Sequence, residues 1–194
     1  TFISVKNLNN FNIEKNVQNK IDIIIHLAGK AHSKYSKLSY YNSNFLLTKK
    51  IFDYSKRNNI KKFIFFSSIK VNGEISEFNK PFKFDDKPNP QDNYAKSKFE
   101  CENYLTNQKN HNVKIFILRP PIIIGKNFKG NLSSFIKILD YRIPLPIKNI
   151  DNKRSFITIE NIYSIIIKII VSDCSGGVFL ISEGYSISTS DLLE

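Results

Sequence analysis

Short apolar runs alternate along the chain with longer stretches whose apolar positions recur at helical spacing. Ile21 to Leu27 is a largely β-branched run, interrupted by Asp22 and closed by Ala28-Gly29. Tyr41 to Asn58 carries Phe45, Leu46, Ile51, Phe52 and Tyr54, the spacing of an amphipathic helix. Lys62 to Phe66 is a second apolar run, ending at Ser67-Ser68 and followed by a loop with Pro81, Pro88 and Pro90. Asp92 to Asn110 predicts a helix, and Val113 to Leu118 a strand stopped by Arg119-Pro120-Pro121. A further helix is expected over Leu132–Tyr141, then a segment with Pro144 and Pro146, a strand over Ser155–Ile159, a helix over Glu160–Val171 and a last strand over Val178–Ile181. No internal repeat or low-complexity linker interrupts this order.

Almost fully apolar strands alternating with helices imply an α/β chain, a doubly wound parallel sheet covered on both faces. Ligands of such sheets bind beyond the carboxyl ends of the strands. Three runs here end in small or polar residues, at Ala28-Gly29, Ser67-Ser68 and Arg119-Pro120, so those ends are expected to line one crevice.

Composition changes this picture little. The 194 residues are 41% hydrophobic and 24% charged, ordinary for a globular chain and wrong for a disordered one. The net charge of +12 comes mostly from Lys, with Arg only at 57, 119, 142 and 154. Lys, Asn, Ile and Phe are abundant throughout, as AT-rich coding would produce. A nucleic-acid face concentrates its cations on one element, so the charge reads as a solvated surface and no nucleic-acid partner is expected. Cys101 and Cys174 make neither a disulfide framework nor a metal site. No apolar stretch is long enough to span a bilayer and no signal peptide is visible, which reads as a cytoplasmic protein without membrane insertion. A first residue other than Met, and a helix beginning at the last residues, suggest an internal fragment of a longer protein.

The candidate chemistry is Tyr94 and Lys98 in Tyr94-Ala95-Lys96-Ser97-Lys98, one turn apart on one face of a predicted helix. With nine Tyr in so Lys-rich a chain, about one such pair arises by chance; the placement, between a strand ending in Ser67-Ser68 and one ending in Arg119-Pro120, gives it meaning. A phenol titrates near 10, and bringing it to neutrality requires about 4 kcal/mol. An ammonium about 5 Å away at an effective dielectric near 20 supplies roughly 3 kcal/mol, so Lys98 is expected to pull the Tyr94 pKa down. Tyr94 would then exchange a proton with an alcohol or ketone oxygen, with Ser68 holding the same oxygen.

This order of motifs resembles the extended short-chain dehydrogenases/reductases, specifically the NAD-dependent epimerase/dehydratase family, over nearly the whole chain. His26-Leu27-Ala28-Gly29 is similar to its strand end against the dinucleotide, and Asn44-Phe45-Leu46-Leu47-Thr48 to its NxxGT segment, with Leu47 in place of Gly. Ser67 to Gly73 is similar to SSxxVYG, with Asn72 in place of Tyr, and Arg119 to Gly125 to RPxxxxG. The resemblance implies catalysis by Ser68, Tyr94 and Lys98. It implies a cofactor, NAD or NADP, held by Leu27, Ala28, Gly29, Asn44, Ser67, Tyr94, Lys98 and Pro120. It implies a nucleotide-sugar substrate held by Ser68, Asn131, Leu132 and Arg154, whose guanidinium fork suits a diphosphate. The implied fold is Rossmann-type, with 1–125 a partial dinucleotide-binding domain and 126–194 part of a substrate region. The glycine-rich loop for the pyrophosphate is expected upstream, and a homodimer through helices 41–58 and 92–110 is expected of the full-length protein. The implied activity is hydride transfer at C4 of a UDP-hexose or UDP-N-acetylhexosamine, as in a 4-epimerase of bacterial surface-polysaccharide synthesis. The alternatives are an NADPH-dependent reductase of a UDP-4-keto-6-deoxy sugar and a non-catalytic dinucleotide-binding scaffold. A 4,6-dehydratase would favour an acidic pair after the catalytic Ser, where Ile69 and Lys70 stand.

Other residues read as structural. His26 ends a buried strand and is expected to be packed in the core. His32 lies in the next loop. Asp85-Asp86 reads as a solvated pair with no further acidic ligand at metal-site spacing, and no metal is expected.

Overall fold

A computed structural model describes residues 21–31, 35–77, 79–109, 112–125 and 152–188. Among the described residues four parallel strands form the main sheet: β1 (Ile23–His26), β2 (Lys62–Phe66), β3 (Lys114–Arg119) and, after two strands that belong to a second sheet, β6 (Gly177–Leu180), in the order β1-β2-β3-β6. Ile25 pairs with Ile64, Phe65 with Ile117 and Leu118 with Phe179, so the carboxyl ends lie along one edge. β4 (Ile122–Ile124), β5 (Arg154–Thr158) and β7 (Ser186–Ile187) make a second sheet, parallel between β4 and β5 and antiparallel between β5 and β7.

Among the described residues four α-helices cover or connect these strands: α1 (Lys37–Tyr40), α2 (Leu47–Arg57), α3 (Asn93–Thr106) and α4 (Ile159–Val171). Side chains alternate between the faces of a strand, and the main sheet uses both. Phe63, Phe65 and Ile117 pack with Phe52 of α2 and with Cys101 and Leu105 of α3. Ile64, Phe66, Phe116 and Leu118 point the other way and pack with Ile162 and Ile169 of α4. Two apolar faces under two helical layers is what the continuous apolar runs predict. Lys62, at the start of β2, reaches the carboxyl end of α4, where its Nζ donates to the carbonyls of Ile169, Ile170 and Ser172 at 2.8, 2.8 and 2.6 Å. A cation there satisfies the last carbonyls of a helix and opposes its dipole.

The predicted helix from Tyr41 differs in kind. Its first turn and a half, Tyr41–Leu46, is π-helical and becomes α-helical only at Leu47. The extra residue per turn places Asn44 inside the fold, 1% exposed. α3 is shorter than expected: Asp92 is its N-cap, accepting from Ala95 N at 2.7 Å, and it ends at Thr106. The expected helix over Leu132–Tyr141 lies outside the described residues.

Candidate active site

The strand ends converge. Ser67 N donates to Leu118 O at 2.8 Å, and Ile69 N to Pro120 O at 3.0 Å, which ties the end of β2 to the end of β3. Ser67 is buried; Ser68 is half-buried and caps the 3-10 turn Ile69–Val71, its Oγ accepting from Lys70 N at 3.3 Å. α3 brings Lys98 beneath this edge. Its Nζ donates to Phe66 O at 2.7 Å and lies 4.8 Å from the centre of the Phe65 ring. Tyr94, one turn earlier, is half-buried, its ring centre 6.0 Å from the same Nζ. The Ser68 side chain is within hydrogen-bonding range of the phenol.

The electrostatics correct one expectation. Burial raises the Tyr94 phenol to about 12; the bond with Ser68 and the nearby Lys70 cation act in the opposite direction without offsetting it. Burial lowers the Lys98 ammonium to about 8, opposed by Cys101 and Glu102. Lys98 aims at the Phe66 carbonyl rather than at the phenol, so desolvation prevails and Tyr94 carries its proton at neutral pH.

Gly29, at the end of β1, completes the floor. Its φ is +150°, and a Cβ there would lie 2.9 Å from Asn44 Oδ1 and 3.7 Å from Lys98 Nζ. Only glycine gives this conformation and this close approach. Asn44 is held on all sides: Oδ1 accepts from Lys30 N at 2.7 Å, and Nδ2 donates to Lys30 O at 3.1 Å and to Ser97 Oγ at 2.9 Å. Ser97 Oγ donates in turn to Tyr94 O at 2.7 Å. Asn44 therefore joins the loop after β1 to the turn of α3 that carries Tyr94. Leu27 is 63% exposed at the mouth, Ala28 is half-buried and Pro120 is buried.

Thus Ser67, Ser68, Tyr94, Lys98, Gly29, Asn44 and Pro120 are brought to one edge. Arg154 is not part of that group: it is exposed at the start of β5, in the second sheet. Asn131, Leu132 and His32 lie outside the described residues. His26 is buried, hydrogen-bonded through Nε2 to Thr48 Oγ1 at 2.9 Å, and its pKa falls to about 3 through burial and the Lys98 charge. It is a neutral core residue, as expected. Asp86 accepts from Lys83 N at 2.7 Å and shapes an exposed turn.

Sequence reasoning missed a buried ionic network under the same edge. Arg119 and Glu102, each 4% exposed at the side chain, pair at 2.6 Å from Nη2 to Oε2. Glu102 also accepts from Ser67 Oγ, and Arg119 Nη1 donates to Asn72 Oδ1 at 3.0 Å. Asn72 Nδ2 donates to Lys83 O at 2.8 Å, anchoring the proline-rich loop. The available signal was a charge on the Lys98 side of the helix, one turn further on, facing a strand that ends in Arg.

A parallel sheet with helices on both faces and hydroxyl, phenol and ammonium groups at its carboxyl edge has the build of a nucleotide-binding α/β protein. The NAD dependent epimerase/dehydratase family matches residues 1–182, and the chain belongs to that family. It is 34% identical over 179 residues to UDP-glucose 4-epimerase of Vibrio cholerae, covering 88% of this chain and 55% of that protein. Among solved structures it is similar to UDP-N-acetylglucosamine 4-epimerase of Methanobrevibacter ruminantium, solved with UDP-N-acetylmuramic acid (30% identity, TM-score 0.77, 89% of this chain and 58% of that one). It also superposes on UDP-glucuronic acid 4-epimerase of Bacillus cereus, solved with NAD, at 24% identity and TM-score 0.83, over 94% of this chain and 60% of that one. The fold is thus Rossmann-type, and the chain spans about half the length of the Vibrio relative.

Proposed function

We propose that this chain is part of a nucleotide-sugar epimerase that uses bound NAD, or NADP, to work at C4 of a UDP-hexose or UDP-N-acetylhexosamine. The observation that carries the reading is the convergence of Ser68, Tyr94 and Lys98 beside Gly29 at the carboxyl edge of the sheet. The names of the Vibrio and Methanobrevibacter relatives support the 4-epimerase chemistry.

The residues present fit a dinucleotide. Gly29 leaves room that a Cβ would take from Asn44 and Lys98. Lys98 spends one of three N–H donors on a protein acceptor among the described residues, which leaves donors for ribose hydroxyls. Leu27, Ala28, Asn44, Ser67 and Pro120 would border the same group. When bound, the cofactor supplies a hydride acceptor and donor and adds positive charge beside Tyr94.

In this reading Ser68 holds the C4 oxygen by a hydrogen bond. In its ionised form, which the positive charge of a bound oxidised cofactor would favour over the neutral phenol of the empty site, Tyr94 would take the proton of the C4 hydroxyl as the sugar is oxidised and return it to the keto oxygen as the alcohol is re-formed. Lys98 keeps a cation within reach of both, and its low pKa allows it to share a proton near neutrality. Asn131, Leu132 and Arg154 would hold the nucleotide part of the substrate. Residues 1–125 would form part of the dinucleotide-binding domain and 126–194 part of the substrate region. The full-length protein would act as a homodimer through helices 41–58 and 92–110, in surface-polysaccharide sugar synthesis.

The test is made on the full-length protein. It is purified and denatured, and released nucleotide is identified by absorbance and mass. Stoichiometric NAD, with interconversion of UDP-glucose and UDP-galactose or of their N-acetyl forms, supports the epimerase. An empty site that takes up NADPH replaces it with a 4-keto reductase, and binding of neither cofactor removes the enzyme reading.

A further inference from the structure

Ser68 and Tyr94 stand on separate elements, one before a 3-10 turn and one in the first turn of a helix more than twenty residues later. Something must hold those elements in register, because an interaction shared at one substrate oxygen tolerates little displacement. We propose that Lys70 is a positioning residue, whose ammonium bolts the turn carrying Ser68 to the amino end of the helix carrying Tyr94. The proposal rests on reading Ser68 and Tyr94 as the pair that handles the substrate oxygen.

The geometry is direct. Lys70 lies two residues after Ser68, and its own backbone N–H donates to Ser68 Oγ at 3.3 Å. Its Nζ donates to Asp92 Oδ2 at 2.9 Å and to Glu74 Oε1 at 2.8 Å. The other oxygen of Asp92 accepts from Ala95 N at 2.7 Å, so the carboxylate gripped by Lys70 is the cap of α3, two residues from Tyr94. Glu74 holds the ammonium from the far side of the turn. Side-chain exposures of 40% for Lys70 and 24% for Asp92 make this a rim pair, too wet to add much stability. Its contribution is therefore to place the two hydroxyls, not to hold the fold, which the Glu102–Arg119 pair does from beneath.

The clamp also sets the charge that Tyr94 meets. The groups facing the phenol are Ser68, Asp92, Lys70 and Tyr40: Lys70 favours the phenolate, and Asp92 and Tyr40 oppose it. Lys98 Nζ stands 6.0 Å from the ring centre. A carboxylate in place of Lys70 would repel Asp92 and open the clamp.

The test uses the full-length protein and the variants Lys70→Gln, Lys70→Arg, Asp92→Asn and Tyr94→Phe. Asn is as good an N-cap as Asp, so Asp92→Asn keeps the helix while it removes the charge. Lys70→Gln is expected to lower kcat about tenfold with KM for the sugar nucleotide unchanged within about twofold, and Lys70→Arg to restore most of the loss. In protein labelled with fluorotyrosine, the Tyr94 resonance, assigned by its loss in Tyr94→Phe, is expected to titrate at higher pH in Lys70→Gln and at lower pH in Asp92→Asn. A merely structural contact would not move it in opposite directions.

Unchanged kcat and titration in Lys70→Gln overturn the proposal, as do shifts of one sign in both variants. A rise in KM equal to the loss in kcat makes Lys70 a substrate contact and overturns it too. If Tyr94→Phe is as active as the parent, or no sugar nucleotide is turned over, the proposed reaction fails separately, and the fluorotyrosine titration still decides the clamp.

Discussion

At the scale of single residues, the site is governed by desolvation. Lys98 holds its charge in a buried position at a cost, and its pKa of about 8 against the ordinary 10.5 expresses that cost. Below pH 8 the residue is protonated folded and unfolded, and the penalty is constant. Between pH 8 and 10.5 the unfolded chain binds the proton that the folded chain releases, so stability rises with pH through that window. Lys98→Met is therefore expected to be more stable than the parent at pH 7, by an amount that shrinks toward pH 10, while turnover collapses. Urea unfolding at pH 7 and 9.5 checks this, and a destabilised Lys98→Met at pH 7 would refute it. In the proposed reaction Tyr94 is the group that exchanges a proton with the C4 oxygen, so Tyr94→Phe is expected to lower kcat by about 10²–10⁴-fold, read by single-turnover assay with bound cofactor retained. The sequence singled out the pair by its placement between two strand ends, since the spacing alone is expected about once by chance. The direction of the Tyr94 shift was not, because an i, i+4 spacing does not say that the ammonium will be taken by a carbonyl at the end of the adjacent strand.

At the scale of elements, the long ones were legible and the short ones were not. The strand at Lys62–Phe66 and the helix at Ile159–Val171 announce themselves by apolar periodicity. β4 and β7, of three and two residues, carry no periodicity to read. The π-helical turn at Tyr41–Leu46 looks like any helix in sequence, although it buries Asn44. The Glu102–Arg119 pair was hidden for a different reason: each residue passes for a surface charge until the strand and the helix are packed together. Removing one partner leaves the other buried and unpaired, so Arg119→Met is expected to cost about 3–5 kcal/mol in denaturant unfolding. Adding Glu102→Leu should recover only part of that loss, because Ser67 and Asn72 then lack their partners.

At the scale of the whole molecule, acid stability reports the core beside the site. His26 titrates at about 3 in the fold against 6.5 ordinarily. Its contribution is complete above pH 6.5 and is lost progressively as pH falls toward 3, because the unfolded chain takes up a proton that the folded chain refuses. His26→Gln, which can still bond Thr48, is expected to flatten that slope in unfolding curves collected from pH 7 to 4. Equal slopes in parent and variant would mean that the imidazole is solvated. The architecture, a parallel sheet covered on both faces, was visible in the order of apolar runs alternating with helices, since strands buried on both faces read as near-continuous apolar runs.

The three carbonyls held by Lys62 bear on how the molecule assembles in time. The bond from Lys62 to Ile169 closes a span of 107 residues. The last turn of α4 has its cap only after β2 is in place, and closing so long a loop is entropically slow. The carboxyl end of α4 thus belongs to the late, cooperative part of folding. Its amides should exchange with solvent together with those of the central strands rather than fray on their own.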